Sequence, residues 1–482
     1  MLASETLMAR RWQVLLVTSV GVFMTFLDVT IVNIAFPDIR ASFPGSSLSG
    51  LSWILNAYAI VFAAALVPAG RLSDRFGRRR FFFVGLLVFL AASVVCGAAG
   101  SVAVLVGARV VQALGGAMLV PSSLALVLPE FPLERRATAT ALWGATGAVA
   151  AAAGPSLGGV LVDWQGWRSV FYVNLLIGLP VLLPARRVLR ESRQPQTALP
   201  DALGAVLLAA GVGALALAIV EGPDWGWSST RVLGAFAASL LLLVGFVWRS
   251  SRHSAPVIEL SLFRVRSFAV ANAGGFVFAL GFYALLLCNV LFLTGVWGYS
   301  ILEAGVALTP GPLMAALAAP IGGRLSDRFG QRFVAVPGGL IFAAGALLFA
   351  LGIGEQRSYV AEFLPATLLT GAGVGLSFAA FGSAAVAELP RNRYATGGAI
   401  SNCFRQIGAA LGISALIVVL GTPSAADALH DYQRAWALMA LTGALAALAG
   451  VALGRVHARY GAEEAGEGAN LTPALAEKES GA

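Results

Sequence analysis

The sequence predicts an all-α integral membrane protein of fourteen spans: two six-helix bundles plus two inserted helices, with both termini cytoplasmic. Three observations carry this. The 482 residues are 58% hydrophobic and only 12% charged, a profile that excludes a chain of soluble domains. Apolar runs of bilayer-crossing length, about 20 residues each, recur from end to end. The octapeptide GRLSDRFG stands at 70–77 and returns unchanged at 323–330.

The runs fall near 13–36, 51–70, 81–99, 102–128, 138–162, 168–187, 201–220, 231–249, 268–294, 304–323, 333–352, 360–386, 395–420 and 433–455. The first follows Arg10 and Arg11 but continues through Asp28 to Phe36 without a small-residue cleavage site, so it reads as a span rather than a cleaved leader. Loop charges support the count. One set of alternate loops holds nearly all the arginines, among them Arg75, Arg78, Arg79, Arg80, Arg135, Arg136, Arg186, Arg187, Arg324 and Arg328; the opposite loops hold only Arg40, Arg168, Arg231, Arg357 and Arg434. Because cytoplasmic loops collect Arg and Lys, the first set is expected inside the cell, in the cytoplasmic membrane.

Each GRLSDRFG closes the second helix of a six-helix block, which marks a duplication. Residues 1–190 form the first bundle, 191–261 the two linker helices with basic loops, and 262–460 the second bundle; the small, acidic stretch 461–482 is expected to be a disordered tail. Two inserted spans leave the second block in the orientation of the first. Parallel halves of this kind are a transporter design with a site between them near the membrane midplane. The net charge of +8 does not point to nucleic acid, since the arginines sit in short clusters between apolar runs; their expected partner is the anionic inner leaflet of the lipid bilayer. Cys96, Cys288 and Cys403 lie in apolar segments and read as small buried hydrophobes, and neither a metal set nor a cofactor is called for.

Five strings carry a family resemblance: GRLSDRFGRRR, LDVTIVNIAFP in the first span, RVVQALGGA in the fourth, GAVAAAAGPSLGG in the fifth and WRSVFYVNLLIG entering the sixth. Together they resemble the major facilitator superfamily and its fourteen-helix drug:proton antiporter branch. The resemblance implies the major facilitator fold, multidrug efflux coupled to protons, and a gating role for the repeated loop, carried to Gly70, Asp74, Arg75, Gly77 and Arg78. The second copy matches at Gly323, Asp327 and Gly330 but has Gln331 where the first has Arg78. The GPSLGG string implies antiport. Physically, Gly147, Gly154 and Gly158 make a small stripe for close helix packing beside Gly159, and Pro155 removes a backbone hydrogen bond.

Three ionisable residues stand inside spans: Asp28, Arg109 and Arg405. Each costs about 2.5 to 3.5 kcal/mol at a helix centre, so each is expected to face a cavity or a partner. At 1.5 Å per residue, Asp28 and Arg109 lie about 12 and 10 Å below the outer ends of their helices and share a layer. Two readings of Asp28 follow. As a lone carboxylate it takes up protons from outside and is discharged by a cationic substrate competing for the same site; alternatively it pairs with Arg109 and holds two helices together. Gln112 lies one turn beyond Arg109, and Asn33 is polar enough to line the path. Phe26, Trp53, Tyr58, Trp143, Phe278, Tyr283 and Asn289 are candidates, with Arg405, to line a pocket for an aromatic or cationic substrate.

The expected function is therefore proton-coupled export of hydrophobic drugs or small metabolites, cationic ones among them, with small-molecule substrate, protons and lipid as partners and no enzymatic activity. No ATPase partner is implied: the sole lysine, Lys478, is in the tail and no phosphate-cradling loop is present. Proton-coupled uptake of a metabolite, or a transporter-shaped receptor that moves nothing, are the alternatives. GPSLGG and Asp28 weigh against the first, and the intact repeated loop against the second.

Overall fold

The computed structural model describes residues 2–132, 135–390, 393–421, 427–454 and 456; the expected tail lies outside them. The chain forms α1 (Leu2–Ser42), α2 (Leu48–Phe76), α3 (Arg78–Gly97), α4 (Val102–Val127), α5 (Arg136–Gln165), α6 (Ser169–Val188), α7 (Ala202–Val220), the single turn α8 (Gly222–Trp225) and α9 (Thr230–Arg252). The second half gives α10 (Arg266–Gly295), α11 (Ile301–Leu308), α12 (Pro310–Phe329), α13 (Arg332–Gly352), α14 (Leu364–Ala387), α15 (Tyr394–Leu420) and α16 (Ala428–Leu453). Among the described residues fourteen helical spans are long and apolar enough to cross a membrane.

Local chemistry sets many of the starts. Ser47, Ser101, Asp201 and Ser229 each accept a hydrogen bond from the third residue of the following helix, and Ser300 and Glu303 form a reciprocal capping box on α11. The tenth span departs from the expected single helix over 304–323. It breaks between Leu308 and Pro310 into α11 and α12, because Pro310 has no amide hydrogen to continue the ladder and takes the first position of a new helix. The first span likewise runs past Phe36 to Ser42, through Pro37.

α1 packs on α4, α5 and α6, while α3 joins α4 and α6 and α2 joins α4, giving the first bundle. α10 against α14, α15 and α16, with α12 and α13 on α14, gives the second. The two bundles meet along α2 with α15 and α5 with α11. The inserted helices α7 and α9 pair with each other, and α7 lies over the α2–α15 seam. Asp201, fully buried, anchors this hairpin: one oxygen accepts from the Gly204 amide and from Arg249 Nε at 2.6 Å. At the hairpin's other end Asp224 accepts from Ser49 of α2, and burial, with that neighbouring carboxylate, holds the Glu221 carboxyl above its usual range.

The repeated octapeptide is helix rather than loop. α2 runs to Phe76 and α12 to Phe329, and the connection to the next helix is a single glycine, Gly77 at φ 125° or Gly330 at φ 92° followed by Gln331. Only glycine takes such angles without strain, which gives both copies the same sharp reversal. These junctions define the Arg-rich end of the molecule.

Candidate functional site

Between the halves lies a cavity of about 590 Å³, walled by α1, α5, α10, α12, α14 and α15. That size falls in the range of small-molecule sites. Its lining is mostly apolar, with Asn33, Thr30, Tyr283, Asn289, Thr367, Thr370 and Arg405 as its polar groups.

The end away from the Arg-rich loops is sealed by contacts between the halves. Asn56 of α2 donates to Ser414 of α15 at 3.1 Å. Ser156 of α5 hydrogen-bonds Thr309 at the α11–α12 break. A side chain at Gly305 of α11 would collide with the Pro155 carbonyl, and one at Gly159 would press on Ile301 and Leu302. Toward the Arg-rich end the cavity continues down α5 to Gly144 and Ala148, which are exposed.

The α5 stripe has two partners. Gly147, Gly154 and Gly158 face α1: a Cβ on Gly147 would touch the Phe26 ring at 3.1 Å, one on Gly154 would fall on Thr30, and one on Gly158 on Ile34 and Ile31. Gly159, on the other face, meets α11 of the second half.

The sequence places Asp28 and Phe26 two residues apart, about 200° around a helix, and the structure uses both faces. Phe26, Thr30, Asn33 and Ile34 line the cavity. Asp28 faces away from it, fully buried, in an ion pair with Arg109. Gln112 Nε2 donates to Asp28 Oδ1 at 2.9 Å and to Ser93 Oγ at 3.0 Å, while Gln112 Oε1 accepts from Arg109 at 2.8 Å. Arg109 Nε donates to the Ile54 carbonyl, its guanidinium lies 4.1 Å from the Tyr58 ring centre, and Asn174 reaches Ser93 from α6. The network ties together α1, α2, α3, α4 and α6.

Two expectations change here. Asp28 is not a lone carboxylate but pairs with Arg109, the second of its two readings, and it does not line the cavity. Of the candidate pocket residues, Phe26, Trp143, Tyr283, Asn289 and Arg405 line the cavity with Asn33, but Trp53, Tyr58 and Phe278 do not. Trp53 packs on the main core, Tyr58 is spent under Arg109, and Phe278 is fully buried between Phe342 and Phe378. Among the described residues the lining contains no carboxylate.

The first copy of the repeated motif is docked. Asp74 Oδ1 accepts from Arg78 Nε at 2.7 Å, and Gly70 approaches Pro121 of α4. Arg75 donates to the Thr197 carbonyl, the Asp74 carbonyl accepts from the Gln194 amide at 2.6 Å, and the Arg78 amide donates to the Ser192 carbonyl. Glu191 completes the joint: its carboxylate accepts from the Arg79 and Arg80 amides at the start of α3, and a Cβ on Gly77 would strike it. Among the described residues no such partner segment meets the second copy. Asp327 is exposed, and Gly323 and Gly330 face open space. Sequence reasoning missed Glu191, Asn56, Ser414, Ser156, Thr309 and Gly305; Asn56, a lone amide within an apolar run, was the clearest signal on offer.

Two duplicated helical halves around a central cavity, shut at one end, define a membrane transporter of small molecules. The chain belongs to the Major Facilitator Superfamily, whose sequence profile matches residues 18–412 and 271–478. It is 36% identical over 87% of its length to Multidrug resistance protein Stp of Mycobacterium tuberculosis, covering 78% of that protein. It is 34% identical to the Tetracenomycin C resistance and export protein of Streptomyces glaucescens, over 86% of this chain and 77% of that one. It is also 34% identical to the Methylenomycin A resistance protein of Bacillus subtilis, over 84% and 87%. A solved bacterial homologue of the human drug peptide transporters PepT1 and PepT2 shares the fold, with a TM-score of 0.63 at 13% identity over 92% of this chain and 98% of that chain. The protein is a multi-pass transporter of the cell membrane, not an enzyme.

Proposed function

We propose that the protein exports hydrophobic small molecules, drugs or metabolites, by alternating access driven by proton entry. The observation that carries this reading is the use of α1 on both faces: its Phe26, Thr30 and Asn33 wall the cavity while its Asp28 closes the buried network behind it. The Arg-rich end is taken as cytoplasmic by the charge bias of its loops, so the cavity in this structure loads from inside the cell. Resistance and export names among the relatives support the direction.

In this mechanism a proton from the far side neutralises Asp28. Arg109 then keeps Gln112, the Ile54 carbonyl and the Tyr58 ring but loses its counter-charge, and α1 is released from α4. Since α1 is keyed into α5 through Gly147, Gly154 and Gly158, its movement carries the cavity wall with it. Substrate and proton thus act on one helix from opposite sides rather than at a shared site. The first motif joint, Asp74 with Arg78, is formed in this inward-facing state and couples the end of α2 to the start of α3 on the cytoplasmic side.

Reconstitution into liposomes with an imposed proton gradient tests this. Export coupled to protons requires substrate to move against the proton flow. Movement with the flow would make the protein an uptake carrier, and absence of flux for compounds that bind would make it a receptor.

A further inference from the structure

We propose that the cavity selects organic anions: flat aromatic acids whose carboxylate or acidic hydroxyl is held by Arg405. The proposal rests on reading this cavity as the transport site. Arg405 is half-buried, about 16 Å along α15 from its Arg-rich end, which places it deep in the membrane. Its Nη2 donates to Asn402 Oδ1 at 2.8 Å and its guanidinium stands 5.3 Å from the Phe378 ring centre. Its Nε is buried without a hydrogen-bond partner, and among the described residues it has no ion-pair partner.

Arg405 is moreover the one charged group in the cavity lining among the described residues. The buried carboxylate of the first half, Asp28, is outside the cavity and already paired with Arg109. A guanidinium left so deep in the membrane favours an anion that brings its own counter-charge, and the planar fork suits a carboxylate in two-point contact. A second, independent group points the same way. Asn33 is 5% exposed, lines the cavity from α1, and its Oδ1 has no partner. Phe26, Trp143, Phe282 and Tyr283 of the same lining give a flat apolar body somewhere to lie.

The test uses three probes of one shape: 9-anthracenecarboxylate, 9-anthracenemethanol and 9-anthracenemethylammonium, measured by equilibrium dialysis on the full-length protein in detergent. The carboxylate is expected to bind at least about tenfold more tightly than the ammonium, the size of one net charge-assisted contact. Arg405→Gln, which keeps a donor for Asn402, should erase that preference, and Arg405→Lys should retain part of it; gel filtration checks that both variants remain folded. Preference for the ammonium, an unchanged preference in Arg405→Gln, or binding of none of the three overturns the proposal. Flux of the same probes in proteoliposomes is read separately. Selective binding without flux would defeat the export reading alone, and equal flux of all three would defeat the anion reading alone.

Discussion

Arg109 and Asp28 form an ion pair in which the two side chains are 1% and 0% exposed, and three further groups close around it. Removing one partner strands a charge in apolar surroundings, which costs about 3 to 5 kcal/mol, whereas removing both costs much less. Asp28→Asn and Arg109→Gln are therefore each expected to lower thermal stability in detergent, with the double variant recovering most of the loss. Additive losses would mean that the pair is not an energetic unit. Proton-coupled transport should be absent in Asp28→Asn and in the rescued double variant, and partly kept, at a shifted pH optimum, in Asp28→Glu. Undiminished coupling in the double variant would leave the pair a purely structural tie.

The glycine stripe gives a steric prediction. Gly154→Leu and Gly158→Leu would drive α5 off Thr30, Ile31 and Ile34 of α1, so both should abolish transport while the protein still reaches the membrane. Gly234→Ala in α9, where a Cβ meets nothing, serves as the control and should behave as wild type. Normal transport by either leucine variant would remove α1–α5 keying from the mechanism.

The two copies of GRLSDRFG should respond unequally. Asp74 is engaged by Arg78 in a joint also held by Thr197, Gln194 and Glu191, whereas Asp327 is exposed. Asp74→Asn is expected to slow transport severalfold with membrane abundance unchanged, and Asp327→Asn to leave flux near wild type. Because Asp74 and Arg78 are a partly exposed pair bridging the α2–α3 reversal, the stability of Asp74→Asn should change by under about 1 kcal/mol. An equal loss from Asp327→Asn would show that the halves use the motif alike.

How far the sequence foretells all this depends on what kind of signal each residue gives. Spans are legible because a bilayer imposes a length and an apolar content that no neighbour can override, and the duplication is legible because eight polar-rich residues recur. Direction is not. Asp28 and Arg405 look alike as lone charges in apolar runs, yet one turns into a bundle and the other into the cavity, and only tertiary neighbours decide which. Glu191 reads as a solvated linker charge until α3 presents its free amides to it. Asn56 and Ser414 are 358 positions apart, and nothing local in either helix names the other. The break at Pro310 was written in the sequence, but proline is common enough in membrane helices that it did not outweigh the unbroken apolar run.

The seal away from the Arg-rich end supplies the last prediction. Asn56 with Ser414 and Ser156 with Thr309 are hydrogen bonds between the halves, and all four residues lie about 9 to 13 Å from that end of their helices. Separation of the halves there must break both, so they stabilise the state described here relative to its alternate. One such bond contributes about 0.5 to 1.5 kcal/mol net, so its loss should shift the equilibrium between the two states by up to about tenfold. Ala316, on the cavity wall, reports the shift when replaced by cysteine, since Cys96, Cys288 and Cys403 are buried. In Ala316→Cys, Ser414→Ala is expected to slow labelling by an impermeant maleimide from the Arg-rich side and to speed it from the other. Adding Asn56→Ala should change little more, because both substitutions remove the same contact, while adding Ser156→Ala should shift the ratio further. If the side preference of labelling in Ser414→Ala matches that of the parent, the Asn56–Ser414 hydrogen bond does not hold the seal, and closure there rests on Ser156 with Thr309 and on the packing of Gly305 against Pro155.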